Sequence, residues 1–542
     1  AILAQAAPRG TPARGCAAAG LGAAMKRKKS TSDAAELFGC AQKLPSIQLP
    51  WLPSHAPKPP PAPASPAVSE EAQEAVRPPL LVMKFGGSSL AGVEHLRRVA
   101  AIVRQHLHLR PVLVLSAMGK TTNELLETAE QALNTGSVDI SKVRATHAEV
   151  LQELGIPMPT GVEELLRELE RIISGVALLK EVSSRTRDLV VSFGERLSVR
   201  VFEAMFNQEG ATVASQRVQA RAFDSWEIGM ETSSGAGSAD SAFSQVEVLP
   251  STYATIALHL LPLELDYSYV PVVTGYIAKD AKGTITTLGR DGSDLSATVI
   301  GGAVHASEVQ IWKDVSGILT TDPRLVPSAL PVRVLTYEEA AELSMFGAKV
   351  VHPAAVMPAW LARVPVSVRN SLQPQLPGTS IVAELDPEAS RKRRVAAMSS
   401  KQGITMIVIK STRMLGQHGF LAHVFQVFNK YEASIDVIAT SEVTVSLTLD
   451  QGYKETDLAG LRRELESVST VEVMEKMAML TLITAKRDST SVLRESFGVF
   501  ERLGVTVEMV SHGASNINVT FVLPGASLAT CAQELHRAFF EQ

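Results

Sequence analysis

Short apolar runs alternate with longer amphipathic stretches from residue 80 onward. Residues 80–85 form an apolar run that ends in two glycines and two hydroxyl side chains, and residues 91–106 then place apolar positions at helical spacing. Residues 111–116 form a second apolar run without alternation, as in a strand buried on both faces. The pattern therefore predicts a strand–helix–strand unit with a right-handed crossover, and with it a parallel sheet.

The same alternation predicts the elements that follow. Residues 163–179 are expected to form a helix, and Thr336 followed by Glu339 fits a capping box at the start of another helix. This α/β region ends near residue 385, where an Asp-Pro pair and a charged run indicate a linker. Short apolar strands are expected at 189–193, 270–274 and 309–312.

The last part of the chain contains an internal repeat. Phe425 and Phe497 begin equivalent segments at an offset of 72 residues, and each copy reads strand, helix, strand, strand, helix. Alternation in the third strand of each copy indicates a sheet with one covered face. The second copy stops after its last helix, and residues 395–399, before the first copy, could supply the missing strand. The repeat therefore predicts two interleaved modules.

Composition limits the class of protein. A chain of 542 residues with 45% apolar residues is long enough for several domains, and a net charge of -4 argues against a general nucleic-acid binder. No apolar run approaches the roughly 18 residues that span a membrane. The three cysteines are far apart and form no disulfide framework or metal motif, which fits a reducing compartment.

Residues 1–78 differ from the rest of the chain. They are rich in Ala, Pro and Ser, are acid-poor and basic at the start, and contain a proline-rich tract at 57–66. This composition is typical of an organelle transit peptide followed by a linker. A disordered tail without a targeting role is the alternative.

The first candidate for chemistry is the turn after residues 80–85. Gly86, Gly87 and Ser89 could present backbone N–H groups and a helix N-terminus to an anion, with Lys84 adding a positive charge. The alternative is an ordinary turn that closes a βα unit. A second loop, 116–123, contains Gly-Lys-Thr but has Val114 where a Walker A motif needs glycine, so the Walker interpretation fails.

Two further segments carry charged groups beside glycines. In residues 287–294, Arg290 could bind a carboxylate in a forked geometry, and Ser293 or Asp294 could cap a helix that begins near Leu295. Glu195, expected just past a buried strand, could receive an α-amino group. The alternatives are an exposed Arg290, a purely capping Asp294, and a Glu195 that pairs with Arg196 or Arg200.

Basic residues stand at other loop ends. Lys313, Arg324 and Lys349 stand in segments that also contain glycine, as suits a polyphosphate ligand, and would otherwise be solvated charges. His305 and His352 lack a metal-ligand partner four residues on and are expected to be structural.

Taken together, the chain from about residue 80 to 540 closely resembles the aspartate kinases of the amino-acid-kinase superfamily, and in particular their monofunctional plastid form. The resemblance rests on the ordered segments VMKFGGSSL, LSAMGKTTN, SFGERLS, TGYIAKDAKGTITTLGRDGSD, WKDVSGILTTDPR, SMFGAKVVHP, RMLGQHGFLAHVFQVF and DVIATSEVTVSLTLD. It implies a three-layer α/β/α catalytic domain with a largely parallel sheet at 79–390. Two interleaved ferredoxin-like ACT domains would follow, at 403–476 and at 394–402 with 477–542.

The implied reaction moves the γ-phosphoryl group of ATP to the side-chain carboxylate of L-aspartate and gives 4-phospho-L-aspartate. This is the first step toward lysine, threonine, methionine and isoleucine. Mg²⁺ would arrive on ATP and not through a protein metal cluster. By resemblance, the catalytic residues are Lys84, Arg290 and Asp294. The ATP contacts are Lys84, Gly86, Gly87, Ser89, Lys313, Asp314, Leu319, Arg324, Lys349 and Val350, and the aspartate contacts are Ser116, Thr122, Glu195, Arg290 and Ser293.

The ACT resemblance implies feedback regulation, with lysine as the expected effector and threonine as an open alternative. The effector residues would be Met414, Gly419, Phe420, Leu421, Asp436, Thr440 and Ser441. A plastid location and a homodimer or homotetramer joined through the ACT domains are implied as well, with no nucleic-acid or membrane partner. Two other functions stay open at this point: another kinase of the superfamily, such as a glutamate or carbamate kinase, and a catalytically silent amino-acid sensor.

Overall fold

The computed structural model describes residues 80–541 except 214–215, 235–245, 348–350, 389–392, 412–418, 450–454, 485–487 and 514–516. The predicted leader, residues 1–78, lies outside these residues. No helix in the described part is long and apolar enough to cross a membrane.

The first part of the described chain is an α/β domain. Its strands are β1 (Leu81–Phe85), β2 (Pro111–Leu115), β3 (Thr212–Val213), β4 (Gln216–Arg217), β5 (Gln219–Phe223), β6 (Glu231–Thr232), β7 (Tyr269–Thr274), β8 (Ile277–Asp280), β9 (Ile285–Thr287), β10 (Glu308–Lys313), β11 (Val334–Thr336), β12 (Val366–Asn370) and β13 (Thr379–Val382). Its helices are α1 (Val93–His106), α2 (Thr121–Thr135), α3 (Ser141–Glu153), α4 (Thr160–Leu179), α5 (Ser184–Glu209), α6 (Ser251–Leu260), α7 (Pro262–Leu265), α8 (Gly292–Ala303), α9 (Tyr337–Met345) and α10 (Pro353–Leu361).

Eight of these strands form the main sheet, in the order β11-β13-β12-β10-β1-β2-β7-β5. All neighbours are parallel except β12 and β13. Every residue of β1 and of β2 is buried, as their continuous apolar runs predict. One apolar core packs α1 to α5 against one face, and a second packs α6 and α8 to α10 against the other. The predicted three-layer architecture is therefore confirmed.

The prediction of a strand at 189–193 is wrong. These residues lie inside α5, a helix that begins after the capping Ser183, whose hydroxyl accepts a hydrogen bond from the Thr186 N–H at 3.2 Å. Successive residues 190–195 of α5 are all buried. A helix buried on all sides has a continuous apolar run like that of a buried strand, so periodicity cannot separate the two.

The other predicted elements are confirmed with small shifts of their ends. Helix α4 covers the predicted 163–179, and α9 begins with a capping box between Thr336 and Glu339. Helix α8 begins at Gly292 and not near Leu295, and its N-cap position is Asp291, at a φ of 53°. Ser293 and Asp294 therefore lie in the first turn of α8 and do not cap it.

The C-terminal part is one antiparallel sheet with helices. Its elements are β14 (Val395–Lys410), β15 (Ile435–Thr440), β16 (Thr444–Leu449), β17 (Thr470–Thr484), β18 (Met509–His512), β19 (Asn518–Pro524), α11 (Phe420–Lys430), α12 (Glu455–Glu466), α13 (Ser489–Leu503) and α14 (Leu528–Phe540). The strand order is β15-β16-β14-β17-β19-β18. The first half of β14 pairs with the second half of β17, opposite β19, and the second half of β14 pairs with β16 and the first half of β17. Each repeat thus borrows strand positions from the other.

Candidate active site

The candidate catalytic residues come together at the carboxyl ends of the central strands. Strand β1 lies between β10 and β2, with Lys84 opposite Ile311 on one side and Val114 on the other. Because these strands are parallel, the loops that follow them leave the sheet at the same edge, where α/β proteins bind ligands. The segments singled out in the sequence after β1, β2 and β10 are therefore neighbours in space.

The turn after β1 is closed by its neighbouring loops. The Gly86 N–H donates to the Trp312 carbonyl at 3.3 Å, and the Gly119 N–H donates to the Gly87 carbonyl at 3.0 Å. A Cβ on Gly87 would lie 2.9 Å from the Ala117 carbonyl oxygen, so only glycine fits at this close approach. The Ser89 hydroxyl lies 2.8 Å from that of Ser371 and is buried, so it ties loops together in this structure.

A buried ion cluster stands beside this turn. Asp294 Oδ1 lies 2.6 Å from Lys84 Nζ, and its Oδ2 lies 3.0 Å from Lys313 Nζ. The Asp294 side chain is 1% exposed. A Cβ on Gly86 would lie 3.6 Å from Lys84 Nζ, which places that ammonium next to the glycine turn.

The charges in this cluster are mutually dependent. Burial alone would raise the pKa of Asp294, but the ammonium groups of Lys84 and Lys313 outweigh burial and hold it below its ordinary value. Asp294 is therefore an anion, and the cluster of two lysines and one carboxylate carries a net positive charge. Such a cluster can hold a polyphosphate close to an anionic acceptor.

Glu195 faces the same region from α5. Its Oε1 accepts a hydrogen bond from the Ala117 N–H at 3.2 Å, and its Oε2 has no partner among the described residues. Burial raises the pKa of Glu195 to about 8, against the smaller opposing effects of backbone N–H groups and Lys84. The alternative pairing is not seen, because Arg196 and Arg200 bind Asp224 at 3.1 and 2.8 Å.

Small residues let the surrounding elements approach Glu195 closely. A Cβ on Gly194 would lie 2.8 Å from the Ala117 methyl group and 3.7 Å from the Thr122 hydroxyl, which places Thr122 next to the Glu195 backbone. On the other side, Ser116 Oγ donates to Ser293 Oγ at 3.0 Å. The predicted aspartate contacts Ser116, Thr122, Glu195 and Ser293 thus belong to one neighbourhood.

Arg290 is not part of that neighbourhood. Its side chain is exposed and, within the described residues, has no ion-pair partner. It lines a cavity of about 750 Å³ together with Arg324, Gly347 and Lys401. The structure therefore brings Ser293 to Ser116 and Asp294 to the ion cluster but leaves Arg290 facing the C-terminal part.

The segment after β10 lines a second cavity, of about 650 Å³. Leu319 and Arg324 both contribute to it, and residues 398–400 of β14 form part of its wall. Arg324 is exposed and bound by its own neighbour, Asp322, at 2.6 Å. Asp314 is exposed. The wall from β14 was not predicted, because nothing local in residues 395–399 indicates a ligand.

The predicted effector residues are only partly described. Gly419 is the N-cap of α11 at a φ of 93°, and Phe420 and Leu421 follow in its first turn. Asp436 on β15 forms an ion pair with Lys401 of β14 at 3.0 Å. Thr440 ends β15, and Ser441 Oγ accepts a hydrogen bond from the Thr444 N–H at 3.2 Å. Lys349, Val350 and Met414 lie outside the described residues.

Tyr276 borders the region around Glu195 and was not among the predicted site residues. It follows β7 at a φ of 68°, a strained conformation for a bulky side chain, and a Cβ on Gly292 would lie 2.8 Å from its ring. Burial raises its pKa to about 12, with the carboxylates of Glu195 and Asp188 adding to the shift. Its position after a strand end was the available signal. No group of three or more His, Cys, Asp or Glu side chains suited to a metal occurs among the described residues.

Comparisons with known proteins agree with this geometry. Residues 79–370 match the amino acid kinase family, and residues 487–539 match the ACT domain. Aspartokinase 1, chloroplastic, of Arabidopsis thaliana is 42% identical over 473 residues, which are 85% of this chain and 80% of that protein.

Two solved structures of E. coli aspartokinase III also resemble the chain. The T-state complex with lysine and aspartate has a TM-score of 0.69 at 33% identity, covering 85% of this chain and 99% of that one. The R-state complex with aspartate and ADP has a TM-score of 0.66 at 32% identity, covering 85% and 100%. The chain therefore belongs to the aspartokinases, the ATP-dependent aspartate kinases of the amino acid kinase family.

Proposed function

We propose that the chain transfers the γ-phosphoryl group of ATP to the side-chain carboxylate of L-aspartate at the buried cluster of Lys84, Asp294 and Lys313. The observation that carries this proposal is the pair of lysines held at 2.6 and 3.0 Å from a buried carboxylate, directly beside the glycine turn after β1. Catalysis would reside in residues 79–390, as predicted.

The chemistry needs positioning and charge stabilisation more than proton transfer. A free aspartate side chain has a pKa of about 3.9, so its carboxylate is already ionised at neutral pH and needs no general base. The obstacle is repulsion between that carboxylate and the triphosphate. Lys84, Lys313 and the backbone N–H groups that follow Gly86, whose own N–H is bonded to Trp312, reduce this repulsion and stabilise charge in the transition state.

The acceptor would be oriented by the neighbourhood of Glu195. The unpartnered Glu195 Oε2 is a binding partner for the α-ammonium group of aspartate, and the hydroxyls of Ser116, Thr122 and Ser293 are donors for its carboxylates. Arg290 keeps its predicted role as a carboxylate ligand, which requires its exposed side chain to turn toward Ser293.

The nucleotide would occupy the cavity after β10, with Leu319 and Arg324 in its wall and Asp314, Lys349 and Val350 as the further predicted contacts. Asp294 fits Mg²⁺ carried by ATP, because this ion is commonly bound by one or two carboxylates together with substrate phosphates. When bound, Mg²⁺ neutralises phosphate charge. Ser89 would support the phosphate turn from behind, given its hydroxyl contact with Ser371.

Lysine is the proposed inhibitor, acting at the ACT region through residues 403–476. E. coli aspartokinase III, a relative of this chain, has been solved with lysine and aspartate. In this chain Asp436 is bound by Lys401, an ammonium group like that of the effector, so free lysine would compete with Lys401 for the same carboxylate. The second module, at 394–402 with 477–542, carries the ACT match at 487–539.

Two further proposals concern the location of the protein in the cell and its oligomeric state. The composition of residues 1–78 and the chloroplastic relative from Arabidopsis support a plastid location after removal of a transit peptide. We also propose a homodimer or homotetramer that associates through the ACT sheets.

An aspartyl-hydroxamate assay tests the proposed function, because hydroxylamine traps an acyl phosphate. We expect product with L-aspartate and ATP, much less with L-glutamate, and inhibition by millimolar lysine. Equal rates with glutamate would contradict the acceptor assignment. Activity that threonine inhibits and lysine does not would contradict the effector assignment alone.

A further inference from the structure

The segment between β10 and β11 folds back on itself. The Thr320 N–H donates to the Leu330 carbonyl at 2.8 Å, and the Val332 N–H donates to the Ile318 carbonyl at 2.8 Å. These bonds form a stem, and residues 321–329 form a tip. Residues 315–319 and 321–324 of this segment line the cavity proposed for the nucleotide, and Thr320 does not.

The tip packs on the second ACT repeat. Val326 is 2% exposed and belongs to the apolar core built from α13, α14 and the strands of that repeat, with Leu325 packed against it. The side-chain amide of Gln533 on α14 donates to the Leu325 carbonyl at 3.0 Å. A segment of the catalytic domain is thus part of the core of the regulatory region.

A chain of hydrogen bonds, which starts at a buried histidine and ends at the surface, holds the stem to the same helix. His536 of α14 is fully buried, its Nε2 lies 2.9 Å from the Thr320 hydroxyl, and its Nδ1 lies 2.9 Å from Glu541 Oε1. The Ser328 hydroxyl donates to the same Glu541 oxygen at 2.6 Å. We call Thr320, Ser328, His536 and Glu541 the His536 clamp.

The direction of these bonds follows from the groups involved. The pKa of Glu541 is held below its ordinary value by the Ser328 and His536 hydrogen bonds, so its carboxylate accepts and His536 Nδ1 must carry a hydrogen. The Thr320 hydroxyl accepts from the Leu330 N–H at 2.8 Å and can donate to His536 Nε2. Removing the Thr320 hydroxyl would therefore take this partner from the buried His536 Nε2 and from the part-buried Leu330 N–H.

We propose that the His536 clamp positions the nucleotide-binding segment, so that a helix of the second ACT repeat sets the affinity for ATP without lining the nucleotide cavity. The residues that line the cavity come from the segment itself, from α9 and its C-terminal turn, and from β14, and none comes from α14. The clamp residues are positioning residues. The proposal rests on the assignment of the cavity to the nucleotide.

The test compares Thr320→Val with Thr320→Ser, which keeps the hydroxyl, and with Arg537→Ala, an exposed position one residue after His536. We expect Thr320→Val to raise KM for ATP about tenfold, the effect of one buried group left unsatisfied. The kcat and the KM for aspartate should stay within about twofold of wild type, and Thr320→Ser and Arg537→Ala should keep the wild-type KM for ATP. His536→Gln should resemble Thr320→Val.

Three other results would overturn the proposal. In the first, Arg324→Ala raises the KM for ATP, but neither Thr320→Val nor His536→Gln changes it. This result would support the assignment of the cavity to the nucleotide and exclude the clamp. A lowered kcat together with raised KM values for both ATP and aspartate, and a lowered Tm, would indicate a general loosening of the fold. If Arg324→Ala and the clamp variants all leave KM for ATP and ADP binding unchanged, the nucleotide assignment fails and the clamp proposal fails with it.

Discussion

Glu195 should make the KM for aspartate strongly dependent on pH near neutrality, where the carboxylates of the substrate do not titrate. Its carboxyl group is buried, has one oxygen without a partner among the described residues, and has a pKa raised by burial to about 8. The raised pKa means that at neutral pH the free enzyme holds Glu195 mostly protonated. A protonated carboxyl cannot form an ion pair with the α-ammonium of aspartate, so the KM for aspartate should fall as pH rises toward 8.

The size of the effect follows from the ionised fraction. If only ionised Glu195 binds aspartate, the apparent KM is the intrinsic value divided by that fraction. With a pKa of about 8, the fraction is roughly 3% at pH 6.5 and roughly 76% at pH 8.5, so KM falls roughly 25-fold. A pKa of 7 would still give roughly fourfold, and the ordinary value near 4.5 would give no change.

The assay measures initial rates of ADP release at saturating ATP, across pH 6.5 to 8.5 at constant ionic strength. Glu195→Gln should have a high KM for aspartate that no longer changes with pH, because the amide does not ionise. The matched control is Glu203→Gln on the same helix, since Glu203 also accepts a backbone N–H, that of Ala222, at 2.9 Å, but faces β5. This control should keep the wild-type pH profile.

A KM for aspartate that changes less than twofold across this range would refute the reasoning, whatever the value of kcat. A Glu195→Gln enzyme whose KM for aspartate still changes with pH as in the wild type would also refute it, because the titrating group would then lie elsewhere. The KM for ATP, measured in parallel, separates this effect from a general change of the site with pH.

The remaining predictions concern the charges of the catalytic and regulatory sites. Lys84→Ala should lower kcat about 10²–10³-fold with a much smaller change in KM for aspartate, the loss typical of one transition-state contact. The exposed Lys282→Ala is its control, and a Lys84→Ala kcat within about tenfold of wild type would contradict the role. Asp294→Asn should lower the free energy of unfolding by about 3–5 kcal/mol in urea titrations, because the largely buried ammonium groups of Lys84 and Lys313 lose the carboxylate charge that they share. An unchanged midpoint would exclude this account. Asp436→Ala should raise the lysine concentration that gives half-inhibition at least about tenfold, the effect of losing one charged hydrogen bond. The control Glu442→Ala, at an exposed position, should leave this concentration unchanged. The same half-inhibiting concentration in the two variants would remove Asp436 from the effector site.

Most of the fold was predictable because the strands of the main sheet have continuous apolar runs and the exposed helices have clear amphipathic periodicity. Local pattern predicts four of these features: the βα unit at residues 80–116, helix α4, the capping box at Thr336 and the repeat in the last part. The convergence of Lys84 and Lys313 followed from parallel pairing, since both stand near the ends of adjacent strands β1 and β10. Local pattern and one topological rule were sufficient for these features.

Where prediction failed, the deciding interactions come from residues far apart in the chain. The apolar run 189–193 predicts a strand, but it lies in α5. This helix is buried against β2, α2, α4 and β9, and no local window of sequence contains these elements. The same packing determines the state of Glu195, because the carboxyl group of a half-exposed helix position would keep an ordinary pKa near 4.5. The mistaken element therefore also changes the expectation for Glu195. Just past a strand end its carboxyl group would be solvated and ionised. Inside a buried helix its raised pKa favours the neutral acid, which in the proposed role has to lose its proton before it can pair with the α-ammonium group of aspartate.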